Sequence, residues 1–396
     1  MSVTVVVGAG ILGTSVAHHL LERGAGQVIV VDSGTPGSAT SGAGAGFVGL
    51  WAAGYANFFT AGDLELEKYG VAYYRHLSAD IDYRANGNLY AATTGDGLRS
   101  WVEPVLDHPL APDGTRALSA GEVAELTGGV LAAESVVGGA LHPGGIQISA
   151  GRATRALAAR LPDVRPFTRV TGLLTSDGAV VGVRTSAGDL AADRVVLACG
   201  AWTNELLAEV GYRVPLLRMV ATRVLSPASG VSSSMPTVMV PDLFGLWLRE
   251  HRGGLTYGNG DGYAPLFELN ASAGDGGQPH REELVDRLAA SLAPKLRKLV
   301  PEHDTSVSWW LQGLPCMTPD RRFLAGPVPG VDGLHVLGGD NEAGVTHGPG
   351  LGRMLADVVL DGSSSWVDPS PYRLDRFDPD GYPTEQSVLA AMPARR

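Results

Sequence analysis

A mixed fold, α/β joined to α+β, is predicted by three features of this 396-residue sequence. Strand–turn–helix units stand at the start (residues 3–23), in the middle (194–207) and near the end (333–360). Residues 215–265 are rich in short alternating strands such as GLWLREHRGGLTYGNG. Glycine supplies 54 residues, about 14% against an average near 7%, without a collagen period, so tight turns and close backbone approaches are frequent.

The first unit begins with Val3–Val7, a β-branched run of buried parallel-strand type. GAGILG follows, then a helix over Ile11–Arg23 with Leu12, Val16, Leu20 and Leu21 on its apolar side and Gly24 as its stop. A second buried strand, Val28–Val31, ends in Asp32. The stretch Gly37–Gly54 is too poor in large side chains for a packed element. Helix and strand mix from Tyr69 to Thr127, and YRANGNLYAAT reads as a hairpin about Asn86-Gly87. A helix over Arg152–Leu161 leads to strands near Val170, Val180–Thr185 and Arg194–Ala198. Residues 267–280 read as a surface loop and Arg281–Val300 as a helix. The strand Gly333–Leu337 then feeds a turn and a helix over Leu351–Leu360, stopped by Gly362. The proline-bearing tail after Ser363 is expected to be extended.

Charge narrows the function. With 41 acidic and 30 basic side chains the net charge is −11, and lysine occurs only at 68, 295 and 298. Nucleic acid and anionic membranes, which reward basic clusters, are poor partners for such a chain. No apolar run approaches the roughly 20 residues that span a bilayer, and the N-terminus lacks the basic region of a signal peptide. Two cysteines outside any CxxC pair make neither a disulfide framework nor a zinc site, and the ten histidines show no ligand spacing, so no metal is expected. A cytoplasmic location is expected.

Gly8, Gly10 and Gly13 form GxGxxG directly after a strand and at the opening of a helix, with Asp32 ending the next strand. Each part has a task in holding a dinucleotide. The first glycine makes the turn, the second admits the pyrophosphate and the third lets helix pack on strand. The helix N-terminus offers unpaired N–H donors to phosphate, and Asp32 is placed to take ribose hydroxyls. The fingerprint alone leaves FAD and NAD open.

Three further segments favour FAD. The bare backbone of Gly37–Gly54 can lie against a flat cofactor. VVLACGAWTNELL (195–207) and the closing segment TPDRRFLAGPVPGVDGLHVLGGDNEAGVTHGPGLGRMLADVV are similar to motifs of the D-amino-acid oxidase, sarcosine oxidase and glycine oxidase superfamily of FAD-dependent oxidoreductases. YRANGNLYAA and GLWLREHRGGLTYGN resemble its middle motifs. The resemblance runs from residue 1 to about 377. It implies a discontinuous, Rossmann-like FAD-binding domain of residues 1–80, 140–214 and 316–377. A substrate domain with an antiparallel sheet would comprise 81–139 and 215–315, and 378–396 would form a tail. The implied reaction is oxidation of the C–N bond of a secondary amine or N-substituted amino acid, by hydride transfer to the flavin. The electrons would pass to O₂ or another acceptor.

The resemblance carries FAD contacts to Gly8, Ala9, Gly10, Ile11, Leu12, Gly13, Asp32, Ser33, Thr40, Ser41, Ala45 and Gly46. It carries others to Val170, Ala198, Cys199, Gly200, Trp202, Gly313, Gly339, Asp340, Asn341, Ala343, Gly344, Val345 and Thr346. Relatives that bind FAD covalently use a Cys where this chain has Gly313, or a His where it has Trp51, so non-covalent FAD is expected. The family's LRP and GHG segments are Leu314-Pro315-Cys316 and Glu342-Ala343-Gly344, and a lysine linked to oxygen reactivity would fall near Tyr263. Substrate and acceptor are therefore not given by the resemblance.

Among candidate catalytic groups, Arg249 can clamp a carboxylate, with Arg218 and Arg223 as similar candidates. His347 can touch flavin or substrate, and Glu342 can hold an ammonium group. Trp51, Tyr55, Trp247 and Tyr263 can form an aromatic cage. Ordinary packing competes with every one of these assignments. Two other readings stand beside the amine oxidoreductase: a flavin-dependent monooxygenase, and a flavoprotein subunit of a hetero-oligomeric dehydrogenase. A homo-oligomer or a partner subunit is left open.

Overall fold

The protein is described here by a computed structural model covering residues 2–49, 60–77, 81–269, 278–378 and 380–393. A six-stranded sheet holds the fingerprint strand Val3–Val7 between Arg194–Leu197 and Gln27–Val31, with Leu334–Gly338 beyond the first and Val164–Arg165 beyond the second. These pairings are parallel, and only the edge strand Leu324–Pro327 runs antiparallel. Residues 190 and 139 positions apart thus meet in direct register, Val5 opposite Val195 and Val195 opposite Leu334.

Strand alternation explains why these runs are apolar throughout. Val5, Val7, Ile29, Val31, Val195 and Leu197 enter one core, while Val6, Val28, Val30 and Val196 enter the core on the other face. The helix Ile11–Glu22 covers that second face and packs against the closing helix Gly344–Asp361.

The second large sheet has ten strands. Leu217–Leu225 pairs with Gly254–Gly258, Tyr263–Pro265 and Trp309–Gly313, and the sheet continues through Leu246–His251, Thr237–Val240, Asn88–Ala92, Gly138–His142 and Arg116–Leu118. Among these pairings only that of Thr237–Val240 with Asn88–Ala92 is parallel. One face is covered by the helix Glu282–Leu299, whose Val285, Leu288, Leu292, Leu296 and Leu299 recur at helical spacing. Smaller sheets comprise residues 170–191 and the pair Phe47–Val48 with Ile146–Gln147.

Four expectations need correction. There is no hairpin about Asn86-Gly87: Asn88–Ala92 pairs with Gly138–His142, while Asn86 Nδ2 donates to the carbonyls of Ser233 and Met235. The stretch from Gly37 does contain packed elements, a helical turn Thr40–Ala43 and the strand Phe47–Val48; residues 50–59 lie outside the described residues. The closing helix begins at Gly344, not Leu351. The tail is not simply extended, because Thr384 caps a helix Glu385–Ala391 whose Val388 packs with Leu217, Met219 and Met317. The strand Gly138–His142 spans residues 139 and 140, on either side of one expected domain limit, and Cys316–Met317 pairs with Leu217 and Arg218.

The early start of the closing helix has a physical cause. Glycine and proline are poor helix formers, which makes GVTHGPG read as a turn. Here they serve packing: a Cβ on Gly350 would lie 2.8 Å from the Leu66 backbone, and one on Gly352 would lie 2.7 Å from that of Ser15. Pro349 cannot donate to Val345 O, and the hydroxyl of Tyr74 takes its place at 2.7 Å.

Candidate cofactor and substrate site

A cavity of about 1420 Å³ runs from the C-terminal ends of the parallel strands to the face of the large sheet. Single-ligand pockets are typically about 300–1,000 Å³, so this one has room for a dinucleotide and a small substrate together. Its nucleotide end is built by the fingerprint. Gly8 has φ +108° and leaves 2.4 Å between an added Cβ and Ala198 O, while Gly13 would meet Gly8 O at 1.9 Å. Gly10 is different: a Cβ there meets only Ser41 Oγ, at 3.3 Å. The turn therefore closes on itself at two glycines and stays open toward the cavity at the third.

Asp32 and Ser41 brace this turn. Asp32 Oδ2 accepts the Ala9 N–H at 2.6 Å and Oδ1 accepts that of Gly34 at 2.7 Å, leaving further lone pairs on a carboxylate that lines the cavity. Ser41 Oγ accepts the first helical N–H, that of Ile11, at 3.0 Å. The wall continues through Ile11, Leu12, Ser33, Thr40, Ala45 and Gly46, then Val170, Ala198, Cys199, Gly200 and Trp202. Burial pushes the Cys199 thiol up to about 12, so it stays protonated. Gly313, Gly339, Asp340, Glu342, Ala343, Gly344, Val345 and Thr346 complete this part, the last three being the first turn of the closing helix.

At the sheet end the wall is aromatic: Tyr90, Trp101, Phe244, Trp247 and Tyr263, with Phe47 and Trp247 in ring contact at 5.3 Å. Ser100 and Trp101 belong to a π-helical segment, Leu98–Val102, that presents them to the cavity. Sequence reasoning missed Tyr90, Trp101 and Phe244. Phe47, also on the wall, lies in the stretch read as unpacked. Their periodicity is that of ordinary core residues, and only the fold brings them together.

Several expected site residues do not line the cavity. Ala9 and Gly13 shape the turn from behind, and Asn341 is buried in bonds with Thr318 and the Gly339 carbonyl. Arg249 is buried with Nε on Ala45 O at 2.6 Å and Nη1 on Glu250 O at 2.9 Å. His347 points away, its ring 5.0 Å from Phe323 and its Nε2 unpartnered; burial lowers its pKa, so it is neutral rather than an imidazolium beside a cofactor. Arg218 is engaged by Glu385 at 2.6 Å. Trp51 and Tyr55 lie outside the described residues.

Two charged groups stand out on the wall. Asp340 is half-buried on the wall, and desolvation, opposed by the Cys316 N–H and reinforced by Glu342, pushes its carboxyl up to about 7. Arg223, 8% exposed, holds Ala43 O through Nε at 2.7 Å and Thr256 Oγ1 through Nη1 at 3.2 Å. Among the described residues one trio has metal-ligand potential: His18, His19 and Glu22, with ligand atoms within 4.8 Å of one another. Sequence spacing did not single it out. None of the three lines the cavity, and His19 Nδ1 is already 2.7 Å from Glu22.

Comparison with known proteins agrees with this geometry. The family described as FAD dependent oxidoreductase matches residues 4–358. The chain is 31% identical to 4-methylaminobutanoate oxidase (formaldehyde-forming) of Paenarthrobacter nicotinovorans, over 98% of this chain but only 47% of that protein, so it spans about half of that relative. It is 29% identical to glycine oxidase of Pseudomonas putida, over 93% of this chain and 97% of that one. The crystal structure of glycine oxidase from Geobacillus kaustophilus superposes with a TM-score of 0.79 at 24% identity, covering 96% of this chain and 100% of that one. Among the described residues, no helix is long and apolar enough to cross a membrane.

Proposed function

Because the chain belongs to the FAD dependent oxidoreductase family, we propose that it oxidises the C–N bond of a secondary amine or of an amino acid, N-substituted or not. The reading is carried by one observation: a single cavity joins a dinucleotide turn to an aromatic chamber. Relatives named for methylaminobutanoate and glycine support the substrate class. FAD, when bound, supplies the two-electron acceptor for a C–H bond beside nitrogen.

The residues present fit that cofactor. Gly10, Leu12 and the start of the helix Ile11–Glu22 would hold the pyrophosphate, Asp32 the ribose, and the first turn of the closing helix the pyrimidine edge. Residues 1–80, 140–214 and 316–377 would contribute this half and residues 81–139 and 215–315 the substrate half. The chamber of Tyr90, Trp101, Trp247 and Tyr263 would exclude water from the substrate, and Glu342, on the wall of the same cavity, would receive an ammonium group. FAD is held non-covalently on this reading, Gly313 offering no attachment atom. Loss of a hydride and a proton turns the substrate amine into an imine, which water hydrolyses to a carbonyl compound and an amine or ammonia, or which is carried forward, and O₂ or another acceptor takes the electrons.

The test is anaerobic titration of the yellow holoprotein with glycine, sarcosine, dimethylglycine and 4-methylaminobutanoate. Bleaching of the flavin by at least one of them is expected. Failure of all four, with bleaching by NADH or NADPH instead, would favour the monooxygenase.

A further inference from the structure

We propose that His18, His19 and Glu22 form a binding site for one borderline divalent cation of the zinc class, on the last turns of the helix Ile11–Glu22 and outside the cavity. The adjacent histidines have no ligand spacing by themselves, and the helix supplies it. Glu22 stands four residues after His18 and three after His19, so it reaches both. Its Oε2 lies 2.7 Å from His19 Nδ1 and 3.5 Å from His18 Nδ1, and the three ligand atoms fall within 4.8 Å of one another. Two bonds of about 2.0–2.2 Å to one ion span up to about 4.4 Å, so small side-chain rotations close the set.

Polar atoms around the trio are left open. His18 Nδ1 is buried without a hydrogen bond, and so is the hydroxyl of Tyr73, whose ring lies 5.7 Å from that of His18 and 5.4 Å from that of His19. After burial, the charge of Glu22 raises the Tyr73 phenol, so this hydroxyl stands in the field of the same carboxylate. Three protein ligands leave a tetrahedral ion one position for water, and such a water would give the open hydroxyl its partner. Burial lowers the pKa of His19 despite Glu22, so its imidazole is neutral and has a lone pair to give. Its Nε2, which makes no hydrogen bond, can carry the ring proton while Nδ1 takes the ion. The neighbouring cations are engaged elsewhere: Arg353 lies over the rings of Tyr69 and Trp366 at 5.0 and 4.2 Å, and Arg23 is held by Asp357 and Asp361. Glu22 is exposed, which leaves an entry from solvent. Two imidazoles and one carboxylate suit zinc, copper or nickel, whereas magnesium and calcium call for oxygen ligands.

The experiment takes the FAD-loaded protein, strips it of metal with a chelator, and titrates it in a calorimeter with Zn²⁺ and separately with Mg²⁺. One Zn²⁺ per chain is expected to bind saturably and Mg²⁺ is not, and excess Zn²⁺ should raise the melting temperature. His18→Gln and Glu22→Gln should each weaken Zn²⁺ at least about tenfold, a loss seen even when only an outer partner of a metal ligand is removed. Neither side chain lines the cavity, so flavin content should stay at the wild-type level and report intact folding. No saturable Zn²⁺ in the wild type, Mg²⁺ bound as tightly as Zn²⁺, or wild-type Zn²⁺ affinity in either variant overturns the proposal. Should His18→Gln lose its flavin, Glu22→Gln decides alone, because that side chain is 54% exposed and its replacement leaves the packing of the helix in place.

Discussion

Asp340 carries a consequence that reaches beyond the cavity. Its folded pKa of about 7 stands above the ordinary 3.8, so the native state keeps a proton that the unfolded chain releases. That contribution is fully present below about pH 4 and is lost as pH rises toward about 7. Asp340→Asn should flatten the fall in melting temperature across that window, by at most one proton's slope of about 1.4 kcal/mol per pH unit. Parallel melting curves for both proteins would refute the assignment. Gly10→Val tests the opposite end: its side chain would project into the cavity beside Ser41 while the fold stays intact. Flavin absorbance should vanish with an unchanged circular dichroism spectrum, and stoichiometric FAD in that variant would mean the turn holds no pyrophosphate. Glycine spacing made this end readable in advance. Arg223 and Arg249 were both visible as arginines in strands, but which of them lacks a counter-charge depends on Glu250 and the Ala43 carbonyl, contacts that no spacing encodes.

Among the elements, the closing helix bears the most strain on expectation. Its first turn is Gly344–His347, and Pro349 strips Val345 O of its helical donor. Tyr74, from the helix Ala61–Arg75, supplies the missing hydrogen bond from a fully buried position. Tyr74→Phe keeps the ring and removes only the hydroxyl, leaving a buried carbonyl unsatisfied at a cost of about 1–3 kcal/mol. Urea unfolding should report that loss, together with weaker FAD retention because Val345 lines the cavity. An unchanged midpoint would show that the bond contributes nothing. The strand Val3–Val7 and the helix after it follow from local pattern, whereas this helix exists through its neighbours' surfaces. Propensity predicts a turn there, and packing against Ser15 and Leu66 overrides it.

Across the whole molecule, two large sheets share one cavity, and its two ends have different legibility. The parallel sheet draws on residues 3–31, 194–197 and 334–338, each announced by a strand running into a glycine turn. The other sheet's parallel junction, Thr237–Val240 beside Asn88–Ala92, is long-range pairing that hairpin signals cannot reveal, and the Asn86-Gly87 dipeptide points the wrong way. The aromatic chamber inherits that difficulty, since Tyr90, Trp101, Phe244 and Tyr263 come from separated stretches. The central claim is that both ends act on one substrate, the cofactor end taking two electrons from an amine held at the other. A single anaerobic turnover tests this most directly, by mixing holoprotein with excess amine substrate, quenching, and quantifying the released amine product against reduced flavin. One amine released per flavin reduced, without NADH, NADPH or O₂, is the predicted result; flavin reduction that requires a nicotinamide, or product that forms only with O₂ present during the turnover, would contradict it.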